Sequence, residues 1–267
     1  MEDNPLSSFI SYLSSRGLSE NSIKAFSSDV KEYLAFNGQP TEWFDALKKK
    51  GLTNKTLARK RSSLSIYFKY LGVDVEFPRI KPEMKLPTVL LEVEAKALLE
   101  ASTKTRKPQR DRLMVELLLK TGLRLSELLN LKISDIEEDH EVIFLKVSQG
   151  KGAKDRRIPI VDKHLVKELR SYTKKMSQDA FLFSLSARRV QYLIKDIAKK
   201  AGITKNVHPH TLRHTAATLY LKKEVNIESV RKTLGHSNLS TSFPNLSSIS
   251  SLFLPSSISI RILSNVS

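Results

Sequence analysis

Residues 113–128 read LMVELLLKTGLRLSEL. Six of the seven residues from Leu113 to Leu119 are apolar. A helix of that composition has no polar side to turn to water, so it must lie buried. Gly122 stops it, since glycine tolerates the left-handed conformation that closes a helix. Arg124 follows directly, with Glu127 three residues on.

Beyond this segment the periodicity changes. Two β-like runs, Glu141 to Val147 and Arg156 to Val161, flank a turn from Ser148 to Asp155 marked by Gly150 and Gly152. Alternation at Ile143, Leu145 and Val147 supports the first strand. Helices resume at about Lys163, Ala187 and Thr211. Before the buried helix lies an acidic one, Glu92 to Glu100, and this domain begins near Leu90. Between Phe77 and Pro87 three prolines alternate with Arg79, Lys81 and Lys85 without periodicity, which reads as a linker.

The first 75 residues read as short amphipathic helices. One is opened by Ser19, carries Ile23, Phe26, Val30, Tyr33 and Leu34 on one stripe, and ends at Asn37-Gly38. A second stripe, Leu57, Leu64, Phe68 and Leu71, stops at Gly72. Lys48, Lys49, Lys50, Lys55, Arg59, Lys60 and Arg61 lie between the stripes, so one side of this domain is expected to be basic, whether for a partner or only for water.

The expected fold is therefore mainly α with a small antiparallel β-sheet, in two domains. A helical N-terminal domain spans 1–76, a linker 77–89, and an α+β domain 90–240. The remainder, 241–267, differs in character. Ten of these 27 residues are serine, Arg261 is the only charge, and Pro244 and Pro255 interrupt the apolar pattern, so helix is not expected.

The chain has 45 Lys and Arg against 28 Asp and Glu, a formal charge of +17. A polyanion is the first partner this suggests, because each phosphate neutralised releases counterions. A charge-rich surface of the thermophile kind, or an acidic protein partner, would give the same balance. The absence of cysteine excludes a disulfide framework and thiolate metal sites. No run of 18 apolar residues suggests a membrane span, and the start MEDNPLSS lacks a signal-peptide core, so a cytoplasmic address is expected.

Four segments carry candidate chemistry: Thr121 to Leu128, the Gly150-Lys151-Gly152 turn, His210 to His214, and Leu234 to Ser237. Singly, each has a plain explanation. Arg124 can simply satisfy helix-end carbonyls or pair with Glu127; Lys151 reads as an ordinary turn lysine; His236 reads as a polar helix-end residue. His208, His210 and His214 lack an accompanying carboxylate or cysteine, so no metal is expected. Together they suggest more. Two arginines can clamp the non-bridging oxygens of a phosphodiester and offset the extra charge of a pentacoordinate transition state. A lysine on a hairpin tip can protonate a leaving alkoxide, and histidines can move a proton or hold an oxygen. On a helix starting near Thr211, His210 and Arg213 share an exposed face while Leu212, Ala216 and Leu219 pack inward.

These segments resemble, in order, those of the tyrosine recombinases of the phage-integrase family. The layout most resembles the Xer group, its archaeal branch included. The resemblance covers roughly residues 5 to 240. It implies a helical core-binding domain and a catalytic domain that grip opposite sides of a duplex DNA half-site. Four protomers would assemble on two sites, with strands exchanged through a 3′-phosphotyrosyl intermediate and no metal, ATP or other cofactor. By resemblance Arg124 and Arg213 bind the scissile phosphate, Lys151 is the general acid, His210 assists proton transfer and His236 contacts the phosphate.

One element of the pattern is missing. The family places its nucleophilic tyrosine about nine residues after LGHS, where this chain has Asn245, and no tyrosine follows Tyr220. Tyr220 lies ten residues past His210 on the same helix and reads as core. Serines are weak substitutes, because an alcohol is harder to deprotonate than a phenol of pKa about 10. The expectation is a recombinase that does not cleave DNA by itself, with a non-catalytic DNA-binding remnant as the alternative. The abrupt change after Ser240 is what a frameshift or gene split would leave.

Overall fold

A computed structural model describes residues 5–81, 87–148 and 155–222. The chain divides into two compact units, Met1–Lys85 and Leu86–Ser267.

In the first unit, α1 (Pro5–Ser15), α2 (Glu20–Phe36), α3 (Pro40–Lys49) and α4 (Asn54–Tyr70) start and stop where local chemistry requires. The Ser19 hydroxyl accepts the Ser22 amide and opens α2, and Asn37, at φ 52°, closes it in the left-handed region. Pro40 opens α3, where its missing N–H costs nothing. Thr53 caps α4 through the Thr56 amide.

Two apolar clusters hold these helices together. Phe9, Leu13, Val30 and Tyr67 form one, and Trp43, Phe44, Leu47, Leu57 and Leu64 the other. Phe77 and Ile80, within the proline-rich stretch, lie against the second cluster. The Asn54 amide also donates to the Lys81 carbonyl at 3.2 Å, so this stretch is docked as far as Lys81. Lys60 departs from the basic surface expected of α4. It is only 5% exposed, and its ammonium donates to Asp29 at 3.1 Å and sits 5.3 Å from the Trp43 ring centroid. Asp29, buried on α2, also takes Ser63 at 2.7 Å and pairs with Arg59. A buried carboxylate needs such partners, and that need draws Lys60 inward.

The second unit is built on α6 (Pro108–Thr121). Leu113, Met114, Val115, Leu117, Leu118 and Leu119 are all buried, as their continuous apolar run requires. Gly122 closes the helix at φ 64°. α5 (Glu92–Ser102), α8 (Lys163–Thr173), α9 (Ala187–Lys200) and α10 (Pro209–Lys222) belong to the same unit, with short α7 (Leu125–Asn130) following α6. α10 begins at Pro209 rather than near Thr211, because proline is accommodated at a first helical position.

The sheet is antiparallel in the order β1 (Ile136–Asp139), β2 (Val142–Val147), β3 (Arg156–Ile160). Its register pairs Ile143 with Ile160, Leu145 with Ile158 and Val147 with Arg156. Ile143, Leu145, Val147, Ile158 and Ile160 form the buried face. The mainly helical fold with one small antiparallel sheet agrees with the sequence expectation; β1, an acidic edge strand, was not foreseen. No helix among the described residues is long and apolar enough to cross a membrane.

Candidate active site

Three residues separate the end of α6 from the first turn of α7, and this short corner gathers the charged groups. Arg124 stands in extended conformation immediately before α7. Its amide donates to Glu127 Oε2 at 2.7 Å, and its guanidinium to Glu127 Oε1 at 2.7 Å. Glu127 therefore caps α7 and steers the Arg124 side chain at once. The Arg124 side chain is 38% exposed, so it presents charge to the surface.

Arg213 reaches the same corner from α10. It is buried, and its Nη1 donates to the carbonyl of Gly122, one of the orphan acceptors at the end of α6. The expectation that Arg213 and His210 share an exposed face is corrected here. His210 is exposed, but Thr211, Leu212, Thr215, Ala216 and Ala217 are buried around Arg213, because α10 packs against α6. Burial, then the neighbouring Arg124 charge, lower the Arg213 pKa to about 10, which leaves it charged at neutral pH.

A third arginine, not singled out from the sequence, completes the group. Arg156, the first residue of β3, forks onto Glu127 with Nη1 to Oε1 at 3.0 Å and Nη2 to Oε2 at 2.9 Å. Burial works to raise the Glu127 pKa. The Arg156 fork and then the Arg124 amide overcome it, and the carboxyl ends below its ordinary range. A cleft of about 350 Å³ opens beside these residues, lined by Arg124, Ser126, Glu127, Asn130, Asp135 and Lys146 among others.

His210 lies in the first turn of α10, its ring 6.2 Å from that of His208. The three histidines do not converge as ligands: His208 Nδ1 accepts the Thr211 amide at 3.2 Å. Burial and the neighbouring His210 lower the pKa of both His208 and His214. Among the described residues the one group with metal-ligand spacing is Glu116, Asp162 and His164. There the Lys120 ammonium already bridges Glu116 and Asp162 at 2.8 Å to each.

Tyr220 is a structural residue. Its hydroxyl donates to the Lys120 carbonyl, and burial raises its pKa, both of which disfavour a phenolate. Lys151, His236 and Asn245 lie outside the described residues. Of the five predicted site residues, the structure thus brings Arg124 and Arg213 to one corner and places His210 on the exposed start of the helix that delivers Arg213.

Comparison with known proteins bears on this arrangement. The Phage integrase family profile matches residues 88–243, and that of the phage integrase N-terminal SAM-like domain matches 6–72. Tyrosine recombinase XerA of Thermococcus kodakarensis is 39% identical over 251 residues, covering 87% of this chain and 86% of that protein. A tyrosine recombinase of Thermosipho africanus is 35% identical, covering 90% and 93%. A crystal structure of XerA recombinase matches with a TM-score of 0.52 at 32% identity, over 89% of this chain and 91% of that one. The Tn1549 transposon integrase in complex with transposon right end DNA shares the fold, with a TM-score of 0.73 at 18% identity, over 92% and 95%. With two arginines meeting at the α6–α7 corner and both family profiles matched in order, the chain belongs to the phage integrase family, among the Xer-type tyrosine recombinases.

Proposed function

We propose that this chain binds a specific site in duplex DNA and seats one phosphodiester between Arg124 and Arg213. The convergence of both arginines on the segment 122–127 carries this reading: Arg213 holds the Gly122 carbonyl while Arg124 extends two residues further along. Residues 1–76 act as the core-binding domain, 77–89 as the connection, and 90–240 as the catalytic domain. The proline-rich connection and the +17 charge support a clamp around a duplex, with protomers assembling as a tetramer on two sites. A DNA substrate supports a cytoplasmic address for this work.

In the reaction the two guanidiniums stabilise charge on the non-bridging oxygens as phosphorus becomes pentacoordinate. Lys151 protonates the departing 5′ oxygen, His210 assists proton transfer, and His236 contacts the phosphate. The nucleophile is the gap. No tyrosine follows Tyr220 in these 267 residues, and Tyr220 itself is held by the Lys120 carbonyl. These 267 residues therefore grip the scissile phosphate without supplying the nucleophile, and a tyrosine from outside them is needed to complete the reaction.

The test is a nicked suicide duplex carrying a site selected by this protein from a random-sequence library. Retarded mobility without a covalent protein–DNA adduct is expected. An adduct that survives denaturation would show that this chain supplies its own nucleophile. Failure to select any sequence, with only salt-sensitive non-specific binding, would reject the site-specific reading.

A further inference from the structure

Glu127 is an awkward neighbour for a phosphate site. Its carboxylate is buried, its side chain only 8% exposed, and it lies against Arg124, whose charge the phosphate needs. With no further compensation, one anion would spend the field of one of the two clamping arginines before any substrate arrived. Arg156 changes that balance. It approaches Glu127 from β3, forks onto both carboxylate oxygens at 2.9 and 3.0 Å, and is itself only 9% exposed.

From this geometry we infer that Arg156 is a positioning residue for the phosphate site: it neutralises Glu127 so that Glu127 can orient Arg124 without cancelling its charge. Arg124, Arg156 and Arg213 less Glu127 leave a charge of +2, against +1 if Arg156 were absent. Among the described residues the other charges lining the cleft, Asp135 and Lys146, are one of each sign and leave this count unchanged. A phosphodiester carries one negative charge and gains another in the pentacoordinate state, so +2 matches what must be held. The fork also fixes the carboxylate plane, which a single lysine contact cannot do. Arg156 acts on the phosphate through Glu127 and Arg124.

The inference rests on the phosphate reading above, and its test separates the two. The probe is inorganic phosphate, titrated into the full chain at constant ionic strength while the guanidinium Nε–H signals of Arg124 and Arg213 are followed by NMR. In the wild type both signals should move together with one affinity. Arg156→Gln should weaken that affinity about tenfold, the order expected of one uncompensated charge in a partly buried site. Arg156→Lys keeps the charge and should stay within about threefold of wild type, as should the double variant Arg156→Gln with Glu127→Gln, in which both charges go. A merely structural role for Arg156 predicts no recovery in that double variant. Unchanged affinity in Arg156→Gln, or a double variant as weak as it, overturns the inference while leaving the phosphate site standing. If Arg156→Gln does not fold, the double variant decides alone: recovery supports the inference and a tenfold deficit overturns it. If the wild-type signals do not respond to phosphate, the phosphate site itself is rejected, and this inference with it.

Discussion

Arg124 and Arg213 carry the same charge in opposite circumstances. Arg213 is buried and holds a helix-end carbonyl, whereas Arg124 is partly exposed and pairs with Glu127 in its own turn. Their replacements should separate accordingly. Arg213→Gln is expected to lower stability by about 2 kcal/mol, since it strands a buried acceptor, and to weaken DNA binding as well. Arg124→Gln should weaken binding with a stability loss of under about 1 kcal/mol. Urea unfolding of both variants checks the contrast, and equal losses would contradict it. Glu127 adds a pH dependence. Its native pKa lies below the ordinary value of 4.5, so it contributes stability above that pH and loses it as pH falls through the native value. The stability gap between wild type and Glu127→Gln should therefore be full at pH 7 and close on acidification below about pH 4. A gap that widens in acid would mean the sign is wrong.

At the level of elements, the charge cluster between α2 and α4 gives the next expectation. Asp29 is buried with Lys60, Arg59 and Ser63 around it. Asp29→Ala should destabilise the N-terminal helices by about 2 kcal/mol, because it removes the buried partner of the Lys60 ammonium and leaves it the half-exposed Glu32. Hydrogen exchange of α2 and α4 amides reads this directly, and protection equal to wild type would refute it. Most elements were legible from the sequence for reasons that can be named. Ser19 and Asn37 bound α2, Gly122 ends α6, and alternating Ile143, Leu145 and Val147 mark β2. What escaped notice lacked a local signal or had its signal overlooked. β1 reads IEED, an acidic edge strand with no apolar alternation, made a strand only by pairing with β2. Lys60 looks like surface because its carboxylate partner lies 31 residues away in sequence. Arg156, by contrast, was readable. It shares one face of β3 with buried Ile158 and Ile160, so it had to face inward and find a carboxylate. The two arginines of the candidate site were evident as motifs, but their unequal burial was not, since a helical stripe alone does not say how deeply α10 is packed.

For the whole molecule, charge is the dominant property. A chain of +17 that contacts about eight phosphates should show log K falling with log salt at a slope near −7. Between 50 and 200 mM salt its DNA affinity should drop on the order of 10⁴-fold. A slope shallower than about −3 would imply that most of the basic side chains face away from the duplex. Titration of a fluorescent duplex at four salt concentrations is sufficient to measure it.

The junction of Arg213 with the end of α6 makes that helix a measuring rod. Each residue added to a helix advances its end by about 1.5 Å and turns it by about 100°. One residue inserted between Leu113 and Leu119 would swing the Gly122 carbonyl away from Arg213 and carry Arg124 with it, even though no residue of the site had been changed. The exposed segment 103–107, which lies between helices, is under no such constraint. Length should therefore be tolerated there and forbidden in α6, so that chains of this kind differ in the size of their loops while keeping one fixed count of residues along the buried helix.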